Sequence, residues 1–293
     1  MNFFEKRPFL LLVVGILGIS LSSVLVRYST APSLVTAAYR LLWTVLLMLP
    51  MTLGKSKSRQ ELTLVPKKTL FLCAASGILL ALHFVLWFES LEHTSIASST
   101  TIVCTEVIWV AIGSVIFLHK KISGKEIFCI AITLAGNILI ALSDHASSNS
   151  GLSGDLMSLA AAIAVAGYTL LGGVVRRTVS TTGYTFIVYS FCAATLVLAS
   201  LVSRTPLAGY GFPAVFVGLL LAIFSTLLGH SIFSWCLKYL SPSFVSASKL
   251  CEPLISAVLA FFLFQETPVF LQILGGFIIL GGILLYTRVE LKH

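Results

Sequence analysis

Charge is what this sequence has least of: 10% of its 293 residues are Asp, Glu, Lys or Arg, and only 11 are acidic. A soluble domain carries roughly 25% charged residues, so a fold solvated by water on all sides is excluded. Several chemical signatures are missing too. No Gly-x-Ser-x-Gly, His-Glu-x-x-His or P-loop pattern occurs, which argues against a hydrolase, a zinc protease and a pump driven by its own nucleotide site. The 6 cysteines form no CxxC or other ligand spacing and all fall in apolar runs. They read as small buried hydrophobes, and neither a metal nor another cofactor is expected.

What is present is apolar length. The hydrophobic fraction is 57% and the mean hydropathy +1.01. Runs of about twenty apolar residues suit helices crossing a bilayer, whereas barrel strands alternate over about ten. The spacing predicts helices near 8–27, 33–53, 69–89, 95–118, 125–142, 155–175, 183–203, 213–237, 243–264 and 269–287. Pro8, Pro32, Pro213 and Pro242 stand at helix starts, where a missing N–H costs nothing. The run after Glu5-Lys6-Arg7 lacks a small-residue cleavage site and reads as a membrane anchor.

The formal charge of +8 could suggest nucleic acid, but the basic residues sit in short loops and report topology instead. Lys6, Arg7, Lys55, Lys57, Arg59, Lys67, Lys68, Lys120, Lys121, Lys125, Arg176, Arg177, Lys238, Arg288 and Lys292 fall at one membrane face. Only Arg27 and Arg204 fall at the other. Basic loops stay in the cytoplasm, so both termini are expected inside.

The chain also repeats itself. An ungapped shift of 146 positions lays Leu91–Ile140 on Leu237–Tyr286 and sets Ser95 on Ser241, Glu106 on Glu252 and Gly136 on Gly282. Two halves, 1–146 and 147–293, are expected, each with five helices. An odd number turns the halves over relative to each other, giving an all-α integral membrane protein of about ten transmembrane helices in two inverted five-helix repeats.

Four charges remain inside the apolar runs: Arg40, Glu106, Lys249 and Glu252. Glu106 lies eleven residues from Ser95, about 16 Å at the helical rise, and Glu252 ten from Pro242, about 15 Å. Both therefore reach the middle of a hydrocarbon core roughly 30 Å thick, from opposite faces. Lys249 and Glu252 share a helix face. Pro253 removes a backbone hydrogen bond beside the carboxylate and can kink that helix. Two readings stand. The charges neutralise one another as structural pairs, or they line a polar cavity in which a cation meets an anionic substrate group and a glutamate takes an ammonium group or a proton. His83 and His230 read as interhelical hydrogen-bond partners, with proton relay as the alternative. Tyr39 beside Arg40 and Trp109 one turn from Glu106 are candidates to stack on a ligand, while Trp87 and Trp235 suit the interfacial belt. Ala131 with Ala135, and Gly275 with Gly282, carry the small-residue spacing of close helix packing.

Glu252-Pro253, Gln265-Glu266, Gln272, Gly275-Gly276 and Gly281-Gly282, with Arg40 inside Ala38-Tyr39-Arg40-Leu41-Leu42, resemble the EamA-type ten-helix carriers of the drug/metabolite transporter superfamily. The resemblance spans nearly the whole chain in helix number and duplication. It implies a plasma-membrane carrier of amino acids or other small metabolites, often an exporter, with a central cavity. Val107 after Glu106, where the family often has proline, and His119-Lys120 depart from the pattern, so equivalent gating by the two halves does not follow.

The leading function is thus a non-enzymatic secondary transporter for a small molecule. Its partners are the substrate, the bilayer and, as a candidate coupling ion, the proton; no nucleic acid is expected. A facilitator or exchanger for drugs or other metabolites without proton coupling, and a non-transporting membrane subunit, stand as alternatives.

Overall fold

The computed structural model describes residues 8–94, 96–144, 151–264 and 269–291. Among them the regular structure is helical, with no strand. The helices are α1 (Pro8–Val26), α2 (Ser33–Leu53), the short α3 (Ser56–Leu64) and α4 (Lys67–His93). Then come α5 (Ile96–Cys104, resuming after Thr105 as Glu106–Ile116), α6 (Gly124–Asp144), α7 (Leu152–Val175) and α8 (Thr181–Val202). The third-last rod, α9, runs as Gly211–Leu220, a π-helical stretch Leu221–His230, and Ser231–Cys236. Next, α10 runs as Pro242–Ser248, a 3₁₀ turn Lys249–Cys251, and Glu252–Phe264, and α11 is Phe270–Glu290. Among the described residues, eight helices are long and apolar enough to cross a membrane. The fifth and ninth expected spans correspond to α6 and α10; Gln265 and Glu266 lie outside the described residues.

Helix packing obeys the duplication. Helix α4 packs along α7, and their counterparts α9 and α1 pack together in the same way. The same exchange relates the α5–α7 contact to the α10–α1 contact, while α2 meets its own counterpart α8, and α6 meets α11. At that last crossing, a Cβ added to Gly136 would stand 2.7 Å from the Gly275 carbonyl oxygen and 2.9 Å from Ile279. Gly282, which the 146-residue shift equates with Gly136, packs on Thr133, which the same shift equates with Ile279. Only glycine permits backbones this close. Ala131 and Ala135, by contrast, turn outward and do not make this contact.

The helix ends show how local sequence starts each rod. Ser241 accepts the Phe244 N–H ahead of Pro242, a cap followed by a proline whose absent N–H needs no partner. Glu290 of α11 accepts from both the Ser241 N–H (2.6 Å) and its hydroxyl (2.8 Å). Ser180 opens α8 likewise and donates to Glu61 of the polar α3. The apolar side chains around the outside, among them Phe71, Phe216, Phe262 and Phe277, are left facing lipid.

Candidate functional site

Two helices change character at the same depth. In α10, Pro253 has no N–H for the Lys249 carbonyl; the Glu252 N–H takes that carbonyl instead, tightening Lys249–Cys251 into a 3₁₀ turn. In α5 no proline is present, yet the helix is interrupted at Thr105. The Thr105 N–H and hydroxyl both donate to the Ile102 carbonyl, at 3.0 and 2.6 Å. A threonine hydroxyl competing for backbone acceptors does there what the proline ring does in α10. Glu106 and Glu252 each start the helix that follows, so both carboxylates emerge at a break inside an apolar rod.

Their surroundings differ. Lys249 Nζ crosses from the second half to donate to both Glu106 oxygens, at 2.9 and 3.0 Å, and Thr169 of α7 donates to Oε1 at 2.7 Å. The expected same-face partner of Lys249, Glu252, is not the one it takes. A buried ammonium gains most from two acceptors on one carboxylate, and the Glu106 side chain offers both. Among the described residues, the Glu252 carboxylate has no hydrogen bond or ion pair.

Arg40 of α2 is 1% exposed. Its Nε donates to Thr226 Oγ1 at 2.7 Å and Nη1 to Ser22 at 3.2 Å, and the guanidinium lies 4.1 Å over the Phe84 ring. Nη2 is buried, with no partner among the described residues. Thr226 belongs to the π-helical stretch of α9, whose extra residue per turn lets its hydroxyl bond back to the Leu221 carbonyl while it holds the arginine.

These groups surround one hollow. Arg40, Glu106, Lys249, Glu252, His83 and His230 all line it, together with Ser22, Trp87 and Thr100. About 40 Å³ is free inside, room for a few water-sized molecules and far short of the roughly 300–1,000 Å³ of ordinary ligand pockets. Two cations and two carboxylates therefore share a narrow, largely buried space where each charge needs a counter-charge.

His83 meets its expectation of an interhelical partner: Nδ1 lies 3.1 Å from the Ala161 carbonyl of α7. His230 Nδ1 is buried and has no partner among the described residues, and the ring packs edge-on against Phe84 (5.3 Å) and Tyr168 (5.9 Å). Trp87 is not an interfacial residue; it is 5% exposed and stacks on His83 at 6.0 Å, one helical turn away, with no partner for Nε1 among the described residues. The four-residue spacing from His83 was the available signal. Thr226, Ser22 and Thr169 carried none, because hydroxyls are frequent in apolar helices. Tyr39 and Trp109 do not line the hollow. Tyr39 is turned about 100° from Arg40 by the helical period and donates to the Leu207 carbonyl at 2.5 Å. Among the described residues no cluster of His, Cys, Asp or Glu could hold a metal.

The profile of the EamA-like transporter family matches residues 6–142 and again 152–288. The chain belongs to the EamA-like transporter family. It is similar to an "Uncharacterized transporter" of Archaeoglobus fulgidus, 23% identical over 222 residues that cover 73% of this chain and 74% of the relative. A solved structure described only as "Crystal structure of protein" superposes with a TM-score of 0.78 over 98% of both chains at 16% identity, a likeness of fold. The family carries two copies of its pattern here, and the hollow lies where the break of one copy faces the break of the other.

Proposed function

We propose that this EamA-family membrane transporter carries a small polar or amphipathic metabolite, an amino acid or related compound, through the central hollow. Residues 1–146 and 147–293 move against each other to open it to alternate sides. The observation that carries this reading is a pair of opposite charges on one narrow hollow that find no partner among the described residues: Arg40 Nη2 has no hydrogen bond, and the Glu252 carboxylate makes no hydrogen bond or ion pair. Arg40 offers a donor to a substrate anion, and Glu252 takes its ammonium group or a proton. The narrow free volume requires the halves to separate before a metabolite enters, in keeping with alternating access. The basic loops support placing both termini in the cytoplasm of a plasma-membrane protein, and the resemblance to exporters supports outward flux.

The test begins with a thermal-shift screen of metabolites against the detergent-solubilised protein, followed by flux of the hits into and out of proteoliposomes. Glu252→Gln is expected to lower flux by about tenfold to a hundredfold, the value of one hydrogen bond to a charged group, with the protein still folded. Normal flux by a well-folded Glu252→Gln protein contradicts the assignment. An imposed pH gradient separates the two coupling schemes: dependence on the gradient supports proton coupling, and equal rates support exchange or facilitation.

A further inference from the structure

The bundle has a second feature that transport does not use, at the end bearing the basic loops. Two apolar grooves flank the start of α6. One, about 780 Å³, runs between α5 and α6 and is walled by Ile108, Ile112, Val115, Ile127 and Leu134, with Lys120 and Lys121 at its rim. The other, about 850 Å³, runs between α6 and α11 and is walled by Phe128, Leu285 and Val289, with Lys125 and Arg288 at its rim. Their walls are outward-facing side chains such as Ile127 (58% exposed) and Phe128 (62%), so the grooves open to the surrounding lipid rather than to the hollow.

The acidic groups near these rims are already committed. Glu126 accepts the Ser123 N–H at 2.6 Å, in the reciprocal cap that starts α6. Glu290 accepts both Ser241 donors. No ion pair to Lys120, Lys121, Lys125 or Arg288 is found among the described residues. Four cations therefore surround the α6 start, where the helix dipole adds further positive potential. They rim two slots whose walls are apolar, outward-facing side chains. Loop basicity set by topology alone requires neither the slots nor this juxtaposition.

We infer that these grooves form a binding site for anionic diacyl phospholipid, the acyl chains lying in the slots and the phosphate held by Lys120 and Lys121 on one side and by Lys125 and Arg288 on the other. A zwitterionic lipid fills the slots equally well but brings its own cation to the rim, so the discrimination is electrostatic. Cations at the basic face that line neither groove, such as Lys55, Lys57 and Arg59, attract anionic lipid only diffusely.

The experiment is native mass spectrometry of the full-length protein released from phosphatidylcholine nanodiscs containing a minor fraction of phosphatidylglycerol, scoring the lipids that remain bound. Wild-type protein is expected to retain phosphatidylglycerol well above its share of the bilayer. Lys120→Gln with Lys121→Gln, or Lys125→Gln with Arg288→Gln, is expected to lower that retention by about fivefold for each cation removed. Lys55→Gln with Lys57→Gln should leave it unchanged. Ala131→Trp keeps every charge but fills the first slot, and is expected to lower retention too. Equal losses from the two kinds of lysine pair, or full retention by Ala131→Trp together with the groove-rim variants, would overturn the site. The readout needs no substrate flux, so it stands or falls apart from the proposed transport function.

Discussion

Glu106 and Glu252 occupy the same place in two copies of one scaffold and have opposite fates. Each follows a helix break inside an apolar rod and each lines the same hollow. Glu106 is saturated by Lys249 and Thr169, whereas Glu252 has no hydrogen-bond or ion-pair partner among the described residues. Duplication alone would give two equivalent carboxylates. Lys249 breaks the equivalence, because a residue of the second half neutralises the acid of the first and leaves its own half's acid exposed to the hollow. The difference teaches that one copy supplies a cross-link between the halves and the other supplies the free charge.

The largest effect expected from breaking this asymmetry is on stability. Lys249→Met leaves the Glu106 carboxylate buried without its counter-charge and should cost about 3–5 kcal/mol, read as a lowered unfolding midpoint in detergent. Combining it with Glu106→Gln should restore most of that loss, since a neutral amide needs no cation; a double variant as unstable as the sum of the singles would deny the pairing. A smaller effect is expected where the copies meet most closely. Gly136→Val drives a side chain against the Gly275 carbonyl and should cost about 1–3 kcal/mol by the same measurement. An unchanged midpoint would show that α6 and α11 do not cross there. The smallest is Thr169→Val, which removes one of three bonds to Glu106 and should cost about 1 kcal/mol. No loss would mean that Lys249 alone satisfies the acid.

Much of the scaffold was legible because the bilayer imposes strong rules. Apolar length located the helices, and Glu106 falling on Glu252 revealed the duplication without any need for high identity. The intramembrane charges pointed to the hollow for the same reason: lipid does not tolerate them singly. Partnership was harder to read. Lys249 and Glu252 share a helix face, but the ammonium reaches across to Glu106, and no local spacing encodes a contact 143 residues apart. The break in α5 was hidden because it depends on a threonine hydroxyl instead of a proline. Tyr39 and Trp109 lie off the hollow, since adjacency along a helix turns a side chain away and only the assembled bundle decides which face is inside. Trp87 shows the converse, an aromatic near a helix end that the second half covers.

The division of labour between the two carboxylates is tested most directly by comparing flux of one screened substrate through two variants reconstituted at equal density. The Glu106→Gln, Lys249→Met double variant removes the cross-link as a neutral pair and should keep most of the wild-type flux, whereas Glu252→Gln should fall by about tenfold to a hundredfold. Transport surviving in Glu252→Gln and vanishing in a well-folded double variant would contradict the account, by making the saturated carboxylate the working one.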